Sequence, residues 1–252
     1  MQTNGIYNIR SSENLSIPYL IYYPDDFQPQ AESLPLVIFL HGGGERGYDP
    51  HLLTCHSLPR LCMKKLTERC IVVSPQCAPE KDWYYYMPFL MPFIYDIAAS
   101  THADVEKISL TGISMGAYGV WELAGLYPHS FKKILPICGG GMPWMADNYT
   151  QLSVWAIHGA LDQVVPIETS IQMVKAINLA GGNAKLTIYP NVGHHAWEPA
   201  FANPNVLKWL VTYESSGKKN GKSNNKRCRK GKRIFHIHRV PCFIRKNNPG
   251  IR

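Results

Sequence analysis

The chain lacks any apolar stretch long enough to cross a membrane. A membrane helix needs roughly 18–20 uninterrupted apolar residues, whereas the best candidate, residues 87–95, is short and carries Pro88 and Pro92. The first five residues also lack the basic and apolar regions of a signal peptide. We therefore expect no membrane partner and a cytoplasmic location for the chain as written, with secretion left open for a longer precursor.

Paired cysteines of the kind that bind zinc or perform redox chemistry are missing as well. The seven cysteines include no C-x-x-C pair, which argues against a zinc site or a redox motif. We expect most of them to be buried thiols, with a disulfide between Cys55 and Cys62 only in an oxidising compartment. No motif points to a bound metal or cofactor, and neither is expected.

Acidic residues are absent from residues 215–252, which hold 13 of the 26 Lys and Arg and none of the 18 Asp and Glu. The basic pI of the chain thus belongs to this tail, because residues 1–214 carry a net charge of −5. We predict a folded domain over 1–214 and a disordered tail over 215–252. At most the tail predicts salt-sensitive, non-specific binding of nucleic acid; a tail without any function is the alternative.

What the sequence does contain is a regular alternation of short apolar runs and helix-like stretches. Buried strands are predicted at 34–40, 70–74, 108–111, 134–138, 154–158 and 186–189, and helices at about 57–68, 88–101, 117–127, 167–180 and 203–213. Two earlier strands, around 5–10 and 17–23, could form an antiparallel edge. This alternation indicates an α/β protein with a mostly parallel sheet covered by helices on both faces.

A serine between two glycines lies at the junction of a predicted strand and a predicted helix. The segment Gly112-Ile113-Ser114-Met115-Gly116 has the G-x-S-x-G pattern of a nucleophile elbow, in which a tight turn leaves no room for a side chain two residues before or after the serine. Such a turn would expose Ser114 at a helix N-terminus, where the N–H of Met115 can stabilise negative charge. An ordinary glycine–serine turn is the alternative.

Three more loops that follow strands carry residues suited to the same chemistry. After strand 34–40, the glycines at 42–44 could supply a second oxyanion donor from the N–H of Gly43 or Gly44, or form only a flexible turn. After strand 154–158, Asp162 could orient an imidazole, or cap the next helix. After strand 186–189, His194 is the candidate general base.

The neighbouring His195 is expected to be a wall or surface residue, because His194 is the one that directly follows a glycine. In an open α/β sheet, functional groups gather at the carboxyl ends of the parallel strands. Ser114, Asp162 and His194 would therefore lie at one edge of the sheet, in the chain order Ser–Asp–His.

On these motifs the chain resembles the compact esterase and "predicted peptidase" branch of the α/β-hydrolases, which is related to polyhydroxybutyrate-depolymerase-like and feruloyl-esterase-like enzymes. The similarity spans roughly residues 16–212 and rests on the segments 41–47, 74–77, 111–116, 136–141, 155–159 with Asp162, and 193–197. It implies an α/β-hydrolase fold for residues 1–214, with Ser114 as nucleophile, Asp162 as acid and His194 as base. Ala117 stands where relatives often have glycine, and many relatives are secreted and lack a basic tail.

The resemblance implies a serine carboxylesterase acting on a small-molecule or polymer-attached ester, with short-chain or carbohydrate-linked acetyl or feruloyl groups as candidates. Only about fifteen residues separate strands 134–138 and 154–158, so no large lid domain is expected there. A serine peptidase of the prolyl-oligopeptidase type shares the same three catalytic groups. That alternative usually needs a large N-terminal propeller, and about 40 residues before the first core strand cannot supply one.

Aromatic residues could line the site. Trp83 and Trp197 are candidates for substrate contacts, with core packing as the alternative for both. Glu45 and Arg46 are expected to form a structural ion pair that holds the glycine loop, or else to touch the substrate.

Overall fold

Eight strands form one mixed sheet in the order β1-β2-β4-β3-β5-β6-β7-β8. The computed structural model describes residues 1–9 and 15–213. The strands are β1 (Gln2–Asn8), β2 (Ser16–Tyr22), β3 (Pro35–Leu40), β4 (Ile71–Pro75), β5 (Asp104–Ile113), β6 (Lys133–Ile137), β7 (Ser153–Gly159) and β8 (Asn183–Tyr189). Strands β3 to β8 are parallel, whereas β2 pairs antiparallel with both β1 and β4. The predicted parallel sheet with an antiparallel edge is confirmed.

Helices cover both faces of this sheet. They are α1 (Ser57–Met63), α2 (Trp83–Thr101), α3 (Met115–Leu126), α4 (Glu168–Leu179), α5 (Trp197–Ala202) and α6 (Pro204–Val211), with short 3₁₀ helices at Gly43–Glu45, Pro50–Cys55 and Pro143–Tyr149. Apolar residues of α2, α3 and α4 pack on one face, and those of α1, α5 and α6 pack on the other.

Strand β3 shows how the sequence produces these layers. Its side chains alternate across the sheet, so Ile38 enters one core while Val37 and Phe39 enter the other. All three are buried, at 1% exposure or less, and each contributes roughly 1.5–3 kcal/mol by leaving water. Burial on both faces explains why the strand reads as a continuous apolar run.

Helix α2 begins at Trp83, five residues earlier than predicted. Asp82 caps it by accepting a hydrogen bond from the N–H of Tyr85 at 3.0 Å. The predicted helix, 88–101, began at Pro88, whereas the observed helix has both Pro88 and Pro92 in its interior, where proline is unfavourable. Its face is buried along the whole length, and this packing outweighs the lost backbone hydrogen bonds.

Two other helices differ from the prediction at their ends or in their existence. Helix α1 ends at Met63 rather than near residue 68. Two residues after this end, Lys65 takes a positive φ of 63°. Helix α5 was not predicted at all, because six residues that include a proline show too little periodicity. It matters for the site, since it begins directly after the loop that carries His194.

Within the part of the chain that the structure describes, no helix combines the length and hydropathy needed to cross a bilayer. The five cysteines found there are free thiols, of which only Cys55 is exposed, so the conditional disulfide between Cys55 and Cys62 is not formed. The predicted disordered tail, 215–252, and its proposed nucleic-acid binding lie outside the described residues and stay predictions.

Candidate active site

Ser114 occupies a sharp turn between the end of β5 and the start of α3. Its backbone has φ 49° and ψ −119°, a conformation that residues other than glycine rarely adopt. The flanking glycines make it possible: a Cβ on Gly116 would lie 2.0 Å from the Leu40 oxygen, and one on Gly112 would lie 2.6 Å from the Gly116 oxygen. The sequence pattern therefore forms the strained strand–turn–helix of a nucleophile elbow.

The structure brings the three predicted side chains together. His194 Nε2 lies 2.8 Å from Ser114 Oγ, and His194 Nδ1 lies 2.8 Å from Asp162 Oδ2. The adjacent His195 is exposed, and neither of these contacts involves it. This is the connectivity of a nucleophile, a base and an orienting acid, with Nδ1 donating to the carboxylate and Nε2 free to accept the serine proton.

Asp162 is buried, and its carboxylate is surrounded by donors. The N–H groups of Val164 and Val165 each donate to Oδ1 at 2.9 Å, while His194 donates to Oδ2. Burial alone would raise the pKa of this carboxyl, but the hydrogen bonds from His194 and from the two backbone N–H groups outweigh it, and the net pKa is lowered. Asp162 therefore stays ionised near neutral pH. It also accepts hydrogen bonds within the turn before α4, but it does not cap that helix, whose N-cap is Ile167 without a side-chain hydrogen bond, so the helix-cap alternative is wrong.

The glycine loop after β3 forms a short 3₁₀ helix beside the elbow. Met115 and Gly43 are each the first residue of a helix, so their N–H groups have no partner within that helix. The next glycine, Gly44, has open space around its Cα. By contrast the N–H of Gly42 donates to Glu45 Oε2 at 2.7 Å, which leaves Gly43 and Gly44 as the loop's candidate oxyanion donors.

The expected ion pair between Glu45 and Arg46 is replaced by separate contacts. Glu45 is buried and pairs with His56, its Oε1 lying 2.8 Å from His56 Nε2. Arg46 instead donates from Nε to the Gly43 carbonyl at 2.9 Å. Both side chains thus hold the glycine loop, as the structural alternative expected, but through different partners.

His41 lies at the beginning of the glycine loop and holds it to the segment at Cys77. Its Nε2 accepts a hydrogen bond from the N–H of Cys77 at 2.9 Å, which leaves the ring proton on Nδ1. Burial lowers the pKa of His41 to about 4. The ring is therefore neutral near neutral pH, and its role in the loop is structural.

The two tryptophans considered for substrate contacts are both buried. Trp83 is 1% exposed and donates from Nε1 to the His41 carbonyl at 2.9 Å. Trp197 is 5% exposed and packs its ring edgewise against His194, with ring centroids 5.2 Å apart. These positions favour the packing alternative: Trp83 supports the glycine loop, and Trp197 fixes the ring of His194.

Two buried residues that the sequence analysis missed also face the site. His158 on β7 places Nε2 3.2 Å from Asp162 Oδ2, and its Nδ1 lies 2.8 Å from Ser170 Oγ on α4. A histidine inside an apolar strand was the available signal, because a buried imidazole requires hydrogen-bond partners.

One group of potential metal ligands occurs among residues 1–9 and 15–213. Cys138, His158 and Asp162 bring one donor atom each within 4.8 Å of one another. Burial raises the pKa of the Cys138 thiol to about 12, so the sulfur is held as a neutral thiol. Because a metal ligand must be the thiolate, a cation would have to displace this proton in order to bind here.

No large insertion covers the site between β6 and β7. The connection spans residues 138–152 and contains only the 3₁₀ helix Pro143–Tyr149. Within the described residues, the fold thus agrees with the prediction of an α/β-hydrolase without a large lid.

A parallel sheet with an elbow serine, a histidine and an aspartate at the ends of successive strands defines the α/β-hydrolases as a class. Residues 94–225, just over half of the chain, match the model of the dienelactone hydrolase family. The chain belongs to this family. None of the curated proteins matches it.

Solved structures with the same fold include several hydrolases. A thermostable esterase is 28% identical with a TM-score of 0.70; the match covers 82% of this chain but only 62% of that one. A ferulic acid esterase is 13% identical with a TM-score of 0.64, covering 83% and 98%. The acylaminoacyl peptidase of Pyrococcus horikoshii is 15% identical with a TM-score of 0.60, covering 82% and 40%.

The last two likenesses show the fold alone. Together with the family match, the thermostable esterase confirms the predicted α/β-hydrolase fold, the resemblance to esterases and the expectation of a hydrolase.

Proposed function

We propose that the protein is a serine carboxylesterase that hydrolyses esters through an acyl-enzyme on Ser114. The observation that supports this most strongly is the position of His194, which bridges Ser114 Oγ and Asp162 Oδ2 with two contacts of 2.8 Å. A strained backbone at Ser114 adds support, since strain of this kind persists only where the surroundings impose it.

In the proposed first step His194 Nε2 takes the proton of Ser114 while Oγ bonds to the ester carbonyl carbon. The carbonyl oxygen becomes an oxyanion, which the N–H groups of Met115 and of Gly43 or Gly44 stabilise. The tetrahedral intermediate then collapses: the bond to the alcohol breaks, and His194 returns its proton to the leaving oxygen. Water repeats the sequence on the acyl-enzyme and releases the acid and free Ser114.

Asp162 has two roles in this scheme. It keeps the proton of neutral His194 on Nδ1, so that Nε2 faces the serine, and it stabilises the imidazolium that forms in each half-reaction. The lowered pKa of Asp162 ensures that this negative charge is present.

For the substrate we propose short-chain or carbohydrate-linked acyl esters, with acetyl and feruloyl groups as the first to test. The short connection between β6 and β7 supports an open site, which suits bulky or polymer-attached esters better than free long-chain lipids. The fold shared with a ferulic acid esterase is consistent with this choice. With Trp83 and Trp197 buried, the aromatic wall once expected from them is not part of the proposal.

The test is covalent labelling of Ser114 combined with ester hydrolysis. A fluorophosphonate should add its mass to one peptide, the one that contains Ser114, and p-nitrophenyl acetate should be hydrolysed with a burst. Ser114→Ala should abolish both. Labelling elsewhere, or hydrolysis that survives Ser114→Ala, would contradict the proposal.

A matched pair of substrates separates the esterase from the peptidase alternative. The enzyme should hydrolyse the p-nitrophenyl ester of an acyl group far faster than the p-nitroanilide of the same group. Comparable kcat/KM for the two substrates would favour the peptidase instead. A panel of acetyl, butyryl and feruloyl esters then ranks the acyl groups.

A further inference from the structure

Two histidine rings lie beside Oδ2 of Asp162. His194 Nδ1 lies at 2.8 Å, on the side of Ser114, and His158 Nε2 lies at 3.2 Å, on the side of the protein interior. The mechanism above uses only His194. His158 is completely buried in β7, so it has no access to a substrate and can act only through the carboxylate.

The contacts of His158 determine where its proton lies. Burial lowers its pKa more than the acceptors around it raise it, so near neutral pH the ring carries one proton. Nε2 faces two groups that can only accept, the Val165 carbonyl at 3.0 Å and Asp162 Oδ2 at 3.2 Å. The proton must therefore be on Nε2, where His158 donates it to the Val165 carbonyl and holds the positive end of its N–H beside Oδ2 of Asp162.

Ser170 completes this arrangement at the other nitrogen. Its hydroxyl has a single proton and two possible acceptors, His158 Nδ1 at 2.8 Å and the Gly139 carbonyl at 2.9 Å. With the ring proton on Nε2, Nδ1 can only accept, and the hydroxyl donates to it. Ser170, which is also fully buried, thus stabilises the tautomer of His158 that faces Asp162.

We propose that His158, oriented by Ser170, is a positioning residue that fixes the Asp162 carboxylate and limits how strongly its charge acts on His194. This inference rests on the proposed function. The polarised N–H of His158, whose nitrogen lies 3.2 Å from Oδ2, attracts that oxygen and offsets part of its negative charge. His194 then gains less stabilisation for its protonated form than a carboxylate with one imidazole donor would give it.

Removing the donor should change activity in a characteristic way. Without His158, Asp162 loses one of the two ring nitrogens beside Oδ2, so kcat should fall by about tenfold, in line with the loss of one polar contact to a charged group. Its charge would then act more strongly on His194, so deprotonating the base would require a higher pH. The acid limb of the profile of kcat/KM against pH should move upward by about half a unit to one unit.

The other titratable groups around Asp162 do not blur this measurement. They are the Cys138 thiol and the Tyr118 phenol, whose pKa values burial and Asp162 both raise, so neither ionises on the acid limb. The remaining neighbour of His194 is the exposed ring of His195, with centroids 6.2 Å apart. It is unchanged in every variant below.

The experiment compares four variants with the wild-type full-length chain, using p-nitrophenyl acetate. His158→Leu removes the donor, and His158→Gln keeps an amide N–H near the position of Nε2. Ser170→Ala keeps His158 but removes the hydroxyl that stabilises its tautomer with the proton on Nε2. Ser109→Ala is the matched control, because it deletes a buried hydrogen bond, 2.7 Å to the Leu210 carbonyl, that does not involve Asp162.

We expect His158→Leu to lower kcat about tenfold and to raise the acid limb with little change in KM. His158→Gln should restore most of both, Ser170→Ala should show a smaller shift of the same sign, and Ser109→Ala should lower the melting temperature alone. An unmoved acid limb in folded His158→Leu would overturn the proposal, and so would an equal shift in Leu and Gln variants.

If His158→Leu does not fold, Ser170→Ala decides, and an unmoved limb there overturns the proposal. The proposed function itself fails in a different way, through hydrolysis that persists in Ser114→Ala. The two failures can therefore be told apart.

Discussion

Two serine–histidine pairs converge on the same oxygen of Asp162. In each pair a ring nitrogen lies 2.8 Å from the serine oxygen, His194 with Ser114 and His158 with Ser170. The side chain of His194 is 14% exposed, whereas that of His158 is fully buried. The same chemical groups thus stand in two different settings: solvent access, the elbow and nearby first-turn N–H groups distinguish Ser114, the proposed nucleophile, from Ser170.

The largest expected difference comes from deleting each serine hydroxyl in turn. Ser114→Ala should lower kcat by about 10⁴- to 10⁶-fold, because the proposed covalent step is lost. Ser170→Ala should lower it by less than about tenfold, the cost of one buried hydrogen bond. The two variants differ only in which pair is cut, and steady-state hydrolysis of p-nitrophenyl acetate measures both. Equal losses would abolish the distinction between the pairs.

Asp162→Asn replaces the carboxylate that lies beside the histidines of both pairs. An amide can present its NH₂ to His194 Nδ1 and thereby favour the wrong tautomer, so we expect kcat to fall by about 10⁴-fold. The loss should exceed that of His158→Leu by two or more orders of magnitude, because in the proposed mechanism His194 is the base and His158 only positions the carboxylate. Single-turnover kinetics would measure the chemical step directly; similar losses in the two variants would count against this ranking.

Gly116→Ala should disturb the turn that carries Ser114 of the exposed pair, and it should leave the contacts of the buried pair in place. Its Cβ would lie 2.0 Å from the Leu40 oxygen, a backbone atom that cannot move aside easily, and we expect a loss of stability of about 3 kcal/mol or more. Gly44→Ala is the matched control for stability, since a Cβ there meets nothing within 4 Å. Denaturant unfolding compares the two, and a Gly116→Ala protein as stable as Gly44→Ala would contradict the packing described here.

The smallest expected effect concerns the stability of the fold and comes from Glu45. This residue holds the glycine loop, which lies beside the exposed pair only. Burial by itself would raise the pKa of Glu45, but the hydrogen bond from His56 and other contacts outweigh it, and the pKa is lowered from its ordinary value of 4.5. A lowered pKa stabilises the fold at pH values above the ordinary one, and this contribution disappears as the pH falls through the folded-state pKa.

Glu45→Gln should therefore cost about 1 kcal/mol at pH 7 and nothing near pH 3, which makes the acid side of the stability curve flatter. Glu198→Gln is the control, because the ion pair of Glu198 with Arg60 is about 40% exposed on both sides and such pairs contribute little. Thermal unfolding between pH 3 and 7 checks this; parallel curves for wild type and Glu45→Gln would contradict it.

The exposed pair could be predicted from the sequence, and the buried pair could not. Ser114, Asp162 and His194 each follow an apolar strand, so the rule that functional groups gather at strand ends identified them. His158 lies inside β7 and Ser170 inside α4, where strand and helix patterns suggest packing only. Their proximity depends on how α4 docks against β7, which no local pattern encodes.

The same contrast holds for the fold. Strands buried on both faces, such as β3, were found within a residue or two because such burial leaves a continuous apolar signal. The starts of β5 at Asp104 and of β8 at Asn183 were missed by four and three residues, since both strands begin mostly with polar or exposed residues. The start of α2 and the existence of α5 were missed, since each contains proline and is stabilised by tertiary packing rather than by its own sequence. The pairing of Glu45 with His56 was missed for the same reason, as the two lie eleven residues apart and His56 stands between a 3₁₀ helix and α1.

The contact between Gly116 and the Leu40 carbonyl has a consequence for how a substrate would meet this enzyme. It joins the first turn of α3, which carries the N–H of Met115, to the end of the strand that leads into Gly43. The two candidate donors therefore belong to a single rigid unit, and the dipoles that would receive an oxyanion are already oriented before any ester arrives. A pocket built in this way spends little free energy on reorganisation during the reaction.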